Sequence, residues 1–286
     1  VRTYRVLNLG AGVQSTVVAL MIHKGIIPPV DCAIFADVQE EPKAVYDHLN
    51  WLIAEVAPSF PVLVRTAGRL GDAITTGRSH RKGHSNIPSF TFNQSTGVIA
   101  IMPRRCTSDF KVDVVEGAIR REILGLKPRQ RWPKNVVVNQ LFGLSLEECG
   151  RAGRVTRSFN DGPRKGHAKP LFPLIEMEMT RRHCIKWLSD YGVPHTVERS
   201  ACVFCPYKSN AEWQKLKNNS AEFARAVEID RMLRSQNLAH RNGMRSLQYL
   251  HRSCIPLEEI DFRTAEERGD QGTLGFMAEC EGMCGV

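Results

Sequence analysis

"LNLGAGVQST", Leu7 to Thr16, is the stretch that decides the fold. An apolar segment from Tyr4 to Leu9 runs into Gly10 and Gly12, then a polar pair, then the apolar residues Val17 to Ile22. The pattern predicts a strand, a tight loop and a helix start. Such a turn offers backbone N–H groups and the positive end of a helix dipole to an anion. Ser15 and Thr16 add hydroxyl donors to the expected phosphate loop. It is not a Walker A loop, and Ser15 stands where G-x-G-x-x-G would need its third glycine. Taken alone, the loop has a packing explanation as good as a functional one.

The chain around it alternates strands and helices. "DCAIFAD" (Asp31 to Asp37) reads as a buried strand ending in an acid, and Pro42 precedes an amphipathic helix from Ala44 to Val56. "PVLVRT" (Pro61 to Thr66) is a third strand, and the Gly-, Ser-, His- and Arg-rich stretch from Gly68 to Gly97 reads as a long insertion or lid. "VIAIM" (Val98 to Met102) is a short apolar run. A helix is predicted over Val112 to Leu124, and a strand with its loop over Asn135 to Ser145. This alternation predicts an α/β fold, a doubly wound parallel sheet whose ligand lies beyond the strands' carboxyl ends. The glycine loop, Asp37 and Gly143 all fall at such ends. From Thr180 helices and cysteines take over: a capped helix to Tyr191, then a charged, mostly helical stretch from Asn210 to Gln236. The expected division is a nucleotide-binding domain over 1–157 and a helical, cysteine-rich region over 158–286, packing on the same site.

The 286 residues carry 39 Lys and Arg against 30 Asp and Glu, a formal charge of +9. The excess sits in four clusters: Gly77 to His84, Pro103 to Arg105, Arg151 to Arg157 and Gly162 to Lys169. They suit a phosphate-rich partner such as nucleic acid, although a solvated basic surface reads the same way. Neither a membrane span nor an apolar leader core is legible, so a cytoplasmic location is expected. With nine cysteines and no secretory signal, metal binding or thiol chemistry is expected before disulfides. "CVFC" (Cys202 to Cys205) is a C-x-x-C chelate suited to zinc, an iron–sulfur cluster or a redox pair. Cys106, between arginines and a lysine, is expected to have a lowered pKa. Cys280 and Cys284 lie in a glycine-rich tail that could wrap back or simply pack. Cys32 and Cys184 read as core, Cys149 and Cys254 carry no assignment, and His80 and His84 read as part of a basic loop.

"GAGVQS" (Gly10 to Ser15) resembles the S-G-G-x-D-S loop of the PP-loop ATP pyrophosphatase superfamily. "FADVQEEP" (Phe35 to Pro42), "RRCTSDFKVDVV" and "GLSLEECGR" (Gly143 to Arg151) are similar, in order, to segments of its branch containing phosphoadenosine phosphosulfate (PAPS) reductases and iron–sulfur sulfur-transfer enzymes. Fainter echoes follow at "PLIEMEMTRRHC" and "SACVFCP". The chain departs from the pattern at Ala11 (for glycine), Gln14 (for aspartate), Ser145 (for arginine) and Cys149 (for serine).

The resemblance implies an adenine-nucleotide-hydrolase-like sheet binding ATP with Mg2+ through Gly10, Ala11, Gly12, Gln14, Ser15, Thr16, Asp37, Gly143 and Arg151. It implies a [4Fe–4S] cluster, with zinc as the alternative, on Cys106, Cys202, Cys205 and Cys284. Cys280, in a tail similar to the reductases' nucleophile-bearing end, would be the reactive thiol, and Cys280 and Cys284 could exchange roles. Asp37 and Cys280 are the expected catalytic residues. The implied activity is ATP-dependent adenylation and thiolation of a nucleic-acid component, tRNA or DNA. A sulfur donor or cysteine desulfurase would act as a partner, and an oligomer is compatible with the sequence. The alternatives are a sulfonucleotide reductase and a non-catalytic nucleotide-sensing or nucleic-acid-binding protein.

Overall fold

The computed structural model describes residues 1–76, 87–93, 95–162, 164–235 and 246–263. β1 (Arg2–Leu9) leads through Gly10–Gly12 into α1 (Val13–His23), followed by β2 (Cys32–Asp37), α2 (Lys43–Val56), β3 (Val62–Thr66) and α3 (Leu70–Thr76). A hairpin, β4 (Phe90–Phe92) and β5 (Ile99–Ile101), precedes α4 (Asp113–Ala118). Then come β6 (Val136–Phe142), α5 (Cys149–Asp161), β7 (Ala168–Leu171), α6 (Pro173–Glu176) and α7 (Arg181–Tyr191). The described chain closes with α8 (Asn210–Lys217), α9 (Ser220–Leu233) and β8 (Gln248–Tyr249).

Five strands form an all-parallel sheet in the order β3-β2-β1-β6-β7. The chain steps outward from β1 to β3, then returns to the other side of β1 as β6. The order therefore reverses between β1 and β6, where open α/β sheets place their ligands. The register levels the strand ends there: Leu9 pairs with Phe35, and Asn8 with Phe142. Helices cover both faces. On one, α1, α2 and α7 pack over Leu7, Leu9, Ala33, Phe35 and Leu141. On the other, Val114, Val115 and Ala118 of α4 pack over Val6, Cys32, Ile34 and Val138. Val17, Val18 and Leu20 of α1 are fully buried. At about 1.5–3 kcal/mol per buried side chain, this face anchors the helix that follows the loop.

The sheet runs beyond the expected division. Residue 157 lies inside α5, β7 pairs with β6, and Cys184 and Leu188 of α7 join the core on α1. A second core gathers α3, α8 and α9 with Val38, Phe110 and Val203, and includes Ile87 and Leu250, which flank strands of the short antiparallel sheet β5-β4-β8. The predicted helix over Val112 to Leu124 begins earlier, with π-helical turns at Ser108–Val112 and Ile119–Ile123 flanking α4. The expected single stretch from Asn210 is two helices, because Asn219 leaves helical geometry and its side chain caps α9 by accepting from Glu222 N–H. Thr180 and Gly192 (φ +88°) cap α7 as the sequence leads one to expect. No helix among the described residues is long and apolar enough to cross a membrane.

Candidate nucleotide and thiol site

The loop after β1 turns through Ala11 at φ +53°, a left-handed conformation usually left to glycine. The first turn of α1 carries no acidic residue against the dipole, and a helix start leaves its first N–H groups without intrahelical partners. The hydroxyls expected to join them are spent on the fold. Ser15 Oγ accepts Gly12 N–H at 3.2 Å, and fully buried Thr16 bonds His48 Nε2 at 2.8 Å. Both hydroxyls are thus engaged within the fold, and the donors the turn has left to offer are its backbone N–H groups. Gly143 adjoins the loop without reaching into it: a Cβ there would lie 2.6 Å from Ser15 N and Cα. Only glycine lets the end of β6 sit so close to α1.

Gln14 turns sideways. Its amide donates toward Ser145 Oγ (3.4 Å) and Glu148 Oε2 (3.3 Å), and its oxygen accepts from Arg181 (3.1 Å). Glu148 also takes Arg151 at 2.9 Å, so Arg151 and Gln14 belong to one bracket beside the loop. Two of the departures from the resembled pattern, Gln14 and Ser145, are therefore partners of each other.

At the end of β2, Asp37 Oδ1 accepts from Gln39 N–H (2.7 Å) and Tyr46 O–H (2.8 Å). Three residues on, buried Glu40 holds Arg225 and Arg69 at 2.5 and 3.0 Å. Glu41, also buried, accepts from Ser200 Oγ at 3.1 Å and pairs with Lys111 at 3.4 Å. Its Oε2 is buried without a hydrogen-bond partner among the described residues.

These acids anchor the C-x-x-C loop. Val203 N–H donates to Glu40 O at 2.8 Å, and a Cβ on Gly12 would meet Ser200 N at 3.6 Å. The thiol loop therefore rests against the phosphate loop. Within it, Cys205 N–H donates to Cys202 O at 2.9 Å, a tight turn presenting both sulfurs. The Cys202 thiol donates to Cys205, which lowers the Cys205 pKa and, with burial, raises that of Cys202. Lys208 and Arg104 add to the lowering at Cys205. Cys106 lies within electrostatic reach of both. Its pKa is raised, contrary to expectation: desolvation outweighs the pull of Arg104 and Lys111.

Three thiols without a histidine are the ligand type that a soft metal or an iron–sulfur cluster takes. Beside them Arg105 Nε and Thr107 Oγ1 are buried without partners among the described residues, polar atoms available to a bound group. No trio of His, Cys, Asp or Glu among the described residues is gathered as a metal ion requires. Cys280 and Cys284 lie outside the described residues, as does the 77–84 basic cluster. Cys32 and Cys184 are core thiols, pushed up to about 12 and about 11, first by burial. Exposed Cys149 donates to Leu146 O at 2.8 Å.

The sequence reading missed Glu41, Lys111, Ser200, Glu148 and Arg181 as site neighbours. It also missed the chain Thr16–His48–His195, whose second bond is 2.8 Å. A helical start after Pro42 placed His48 on α2, but no local pattern pairs it with residue 195. No protein-family model matches the chain, and neither a curated protein nor a solved structure does.

Proposed function

We propose that the chain is an ATP-dependent sulfur-transfer enzyme of the PP-loop type, acting on a nucleic-acid component. One observation carries the reading: the glycine turn before α1, the acids after β2 and the C-x-x-C loop meet, with Ser200 against Gly12 and bonded to Glu41. The finer fold reading, a nucleotide-hydrolase-like sheet with a helical, cysteine-bearing C-terminal part, belongs to the same proposal.

The backbone N–H groups from Gly10 to Gln14 would hold the β- and γ-phosphates and lower the charge that repels a nucleophile. Mg2+ would be held by Asp37 together with the phosphates, since Gln14 brings no charge and is already bonded. An acceptor oxygen attacks the α-phosphorus, the bond to the β-phosphate oxygen breaks, and pyrophosphate leaves. Sulfur then bonds the activated carbon as its bond to the adenylate oxygen breaks and AMP departs. Cys106, Cys202, Cys205 and Cys284 would hold a [4Fe–4S] cluster, or zinc, with Cys280 as the sulfur-handling thiol. Such a cluster supplies iron that exchanges electrons or binds sulfur. A sulfur donor or cysteine desulfurase supplies the atom.

The test is anaerobic isolation with iron, sulfide and zinc analysis, followed by assay with ATP, a sulfur source and mixed RNA or DNA. ATP-dependent sulfur in the nucleic acid, with colour lost in Cys202→Ser, is the expected result. Stoichiometric zinc with no iron overturns the cluster. The hydrogen-bonded Cys202–Cys205 pair also suits dithiol chemistry and favours a second reading, sulfonucleotide reduction. A parallel assay with PAPS and a thiol reductant separates the two, because sulfite release without nucleic-acid thiolation selects the reductase.

A further inference from the structure

The three-stranded sheet β5-β4-β8 is built inside out. Its register pairs Phe90 with Ile101 and Tyr249, and Phe92 with Ile99. Directly paired residues share a face, as do alternate residues along a strand, so these five apolar and aromatic side chains lie together. The opposite face carries Ser89 and Gln248, both fully buried and joined at 2.7 Å, flanked by buried Ile87 and Leu250. The polar pair therefore turns inward. Phe92, Ile99 and Ile101 remain 40%, 47% and 43% exposed, with Val98 at the turn 57% exposed. Among the described residues β5 is an edge strand, and its own three residues carry neither the charge nor the proline that usually guards one.

Charge selects the occupant. No Asp or Glu occurs between Asp72 and Asp109, while Arg104 and Arg105 follow β5 directly; Arg78, Arg81 and Lys82 of the same stretch lie outside the described residues. β5 runs within five residues into Cys106, a reach of at most about 17 Å, so the face adjoins the thiol corner. A second copy of the chain would bring two such basic, acid-free segments together, whereas a polyanion with flat apolar groups complements both features. Aromatic side chains on an open sheet face stack unpaired bases, and arginines at its margin neutralise phosphates.

We propose that the β4–β5–β8 face binds single-stranded nucleic acid, with bases on Phe92 and its neighbours and phosphates toward Arg104 and Arg105. The proposal rests on the nucleic-acid acceptor in the functional reading and names the surface that would deliver it. The experiment measures fluorescence anisotropy of oligouridylate and oligothymidylate of about 12 nucleotides with the full chain. Phe92→Ala should weaken binding about 5- to 100-fold with an unchanged salt slope, since it removes stacking and no phosphate contact. Phe92→Trp should hold or tighten it, which a merely structural role would not produce. Circular dichroism checks that both variants fold.

Equal binding by wild type and Phe92→Ala overturns the proposal, as does wild type that binds neither oligonucleotide. Self-association that Phe92→Ala abolishes while oligonucleotide binding is unchanged assigns the face to a second copy instead. Binding that depends on Phe92 without any ATP-dependent thiolation upholds this surface while the catalytic reading fails.

Discussion

Gly143 shows how much one missing methyl group positions. Its neighbours at 2.6 Å are backbone atoms of Ser15, which cannot rotate aside as a side chain would. Gly143→Ala is therefore expected to cost about 1–3 kcal/mol, the range for overpacking, and to push the start of α1 away from the switch point. Thermal unfolding and nucleotide calorimetry on the same variant check both parts. A variant as stable as wild type that binds ATP equally would show the loop insensitive to β6. The thiols teach the complementary lesson. Three basic residues near Cys106 suggested a lowered pKa from sequence, but charge acts against the cost of desolvation, and here desolvation wins. Burial at Cys106 is a tertiary property and was not legible in "RRCTSDFK".

At the scale of elements, a buried hydrogen-bond chain ties α1 to α2 and to the segment after α7. His48 bridges Thr16 and His195 and stacks on Trp51 at 5.7 Å. Burial, with the His195 charge, brings the His48 pKa down to about 4. In the unfolded chain it returns to about 6.5. Above pH 6.5 the ring is neutral in both states and costs nothing. As pH falls from 6.5 towards 4, only the unfolded state gains the proton, so stability drops by about 3 kcal/mol. His251, likewise brought down to about 4 by burial, adds to the same window. Urea unfolding from pH 7.5 to 4.5 should show this decline, and His48→Gln should flatten the slope by up to about 1.4 kcal/mol per pH unit. An unchanged slope would mean that His48 takes up its proton in the folded protein. β1, α1, β2 and α2 were legible because period-2 and period-3.6 patterns and the stop signals are local. The break between α8 and α9 was not, since "KNNSAEF" reads as a helix surface until Asn219 is seen capping.

Across the whole molecule, the parallel sheet could be read from the alternation of elements, and so could the strand ends where a ligand belongs. What no periodicity encodes is which distant loops meet there. Glu41 bonds Ser200 across 159 positions, and Gln14 is bracketed by residues 131 to 167 positions away. Ser200 also lies against Gly12, so the glycine loop and the thiol loop share a wall, and a shared wall implies coupling: a nucleotide that fixes Gly10–Gln14 should also fix Ser200 and the turn it leads into. Saturating ATP should then slow alkylation of Cys205 in the reduced, metal-free protein at least about fivefold, the low end of ordinary site–site coupling. Modification of Cys205 should in turn weaken ATP binding, by a factor that calorimetry measures separately, because reciprocity links affinities and not rates. The protection should be reduced in Gly143→Ala, where the loop is displaced, and mass spectrometry of labelled peptides would follow it residue by residue. Equal labelling with and without ATP, in protein shown by calorimetry to be saturated, would leave the loops as neighbours without a shared equilibrium. The thiols would then have to answer to the acceptor alone.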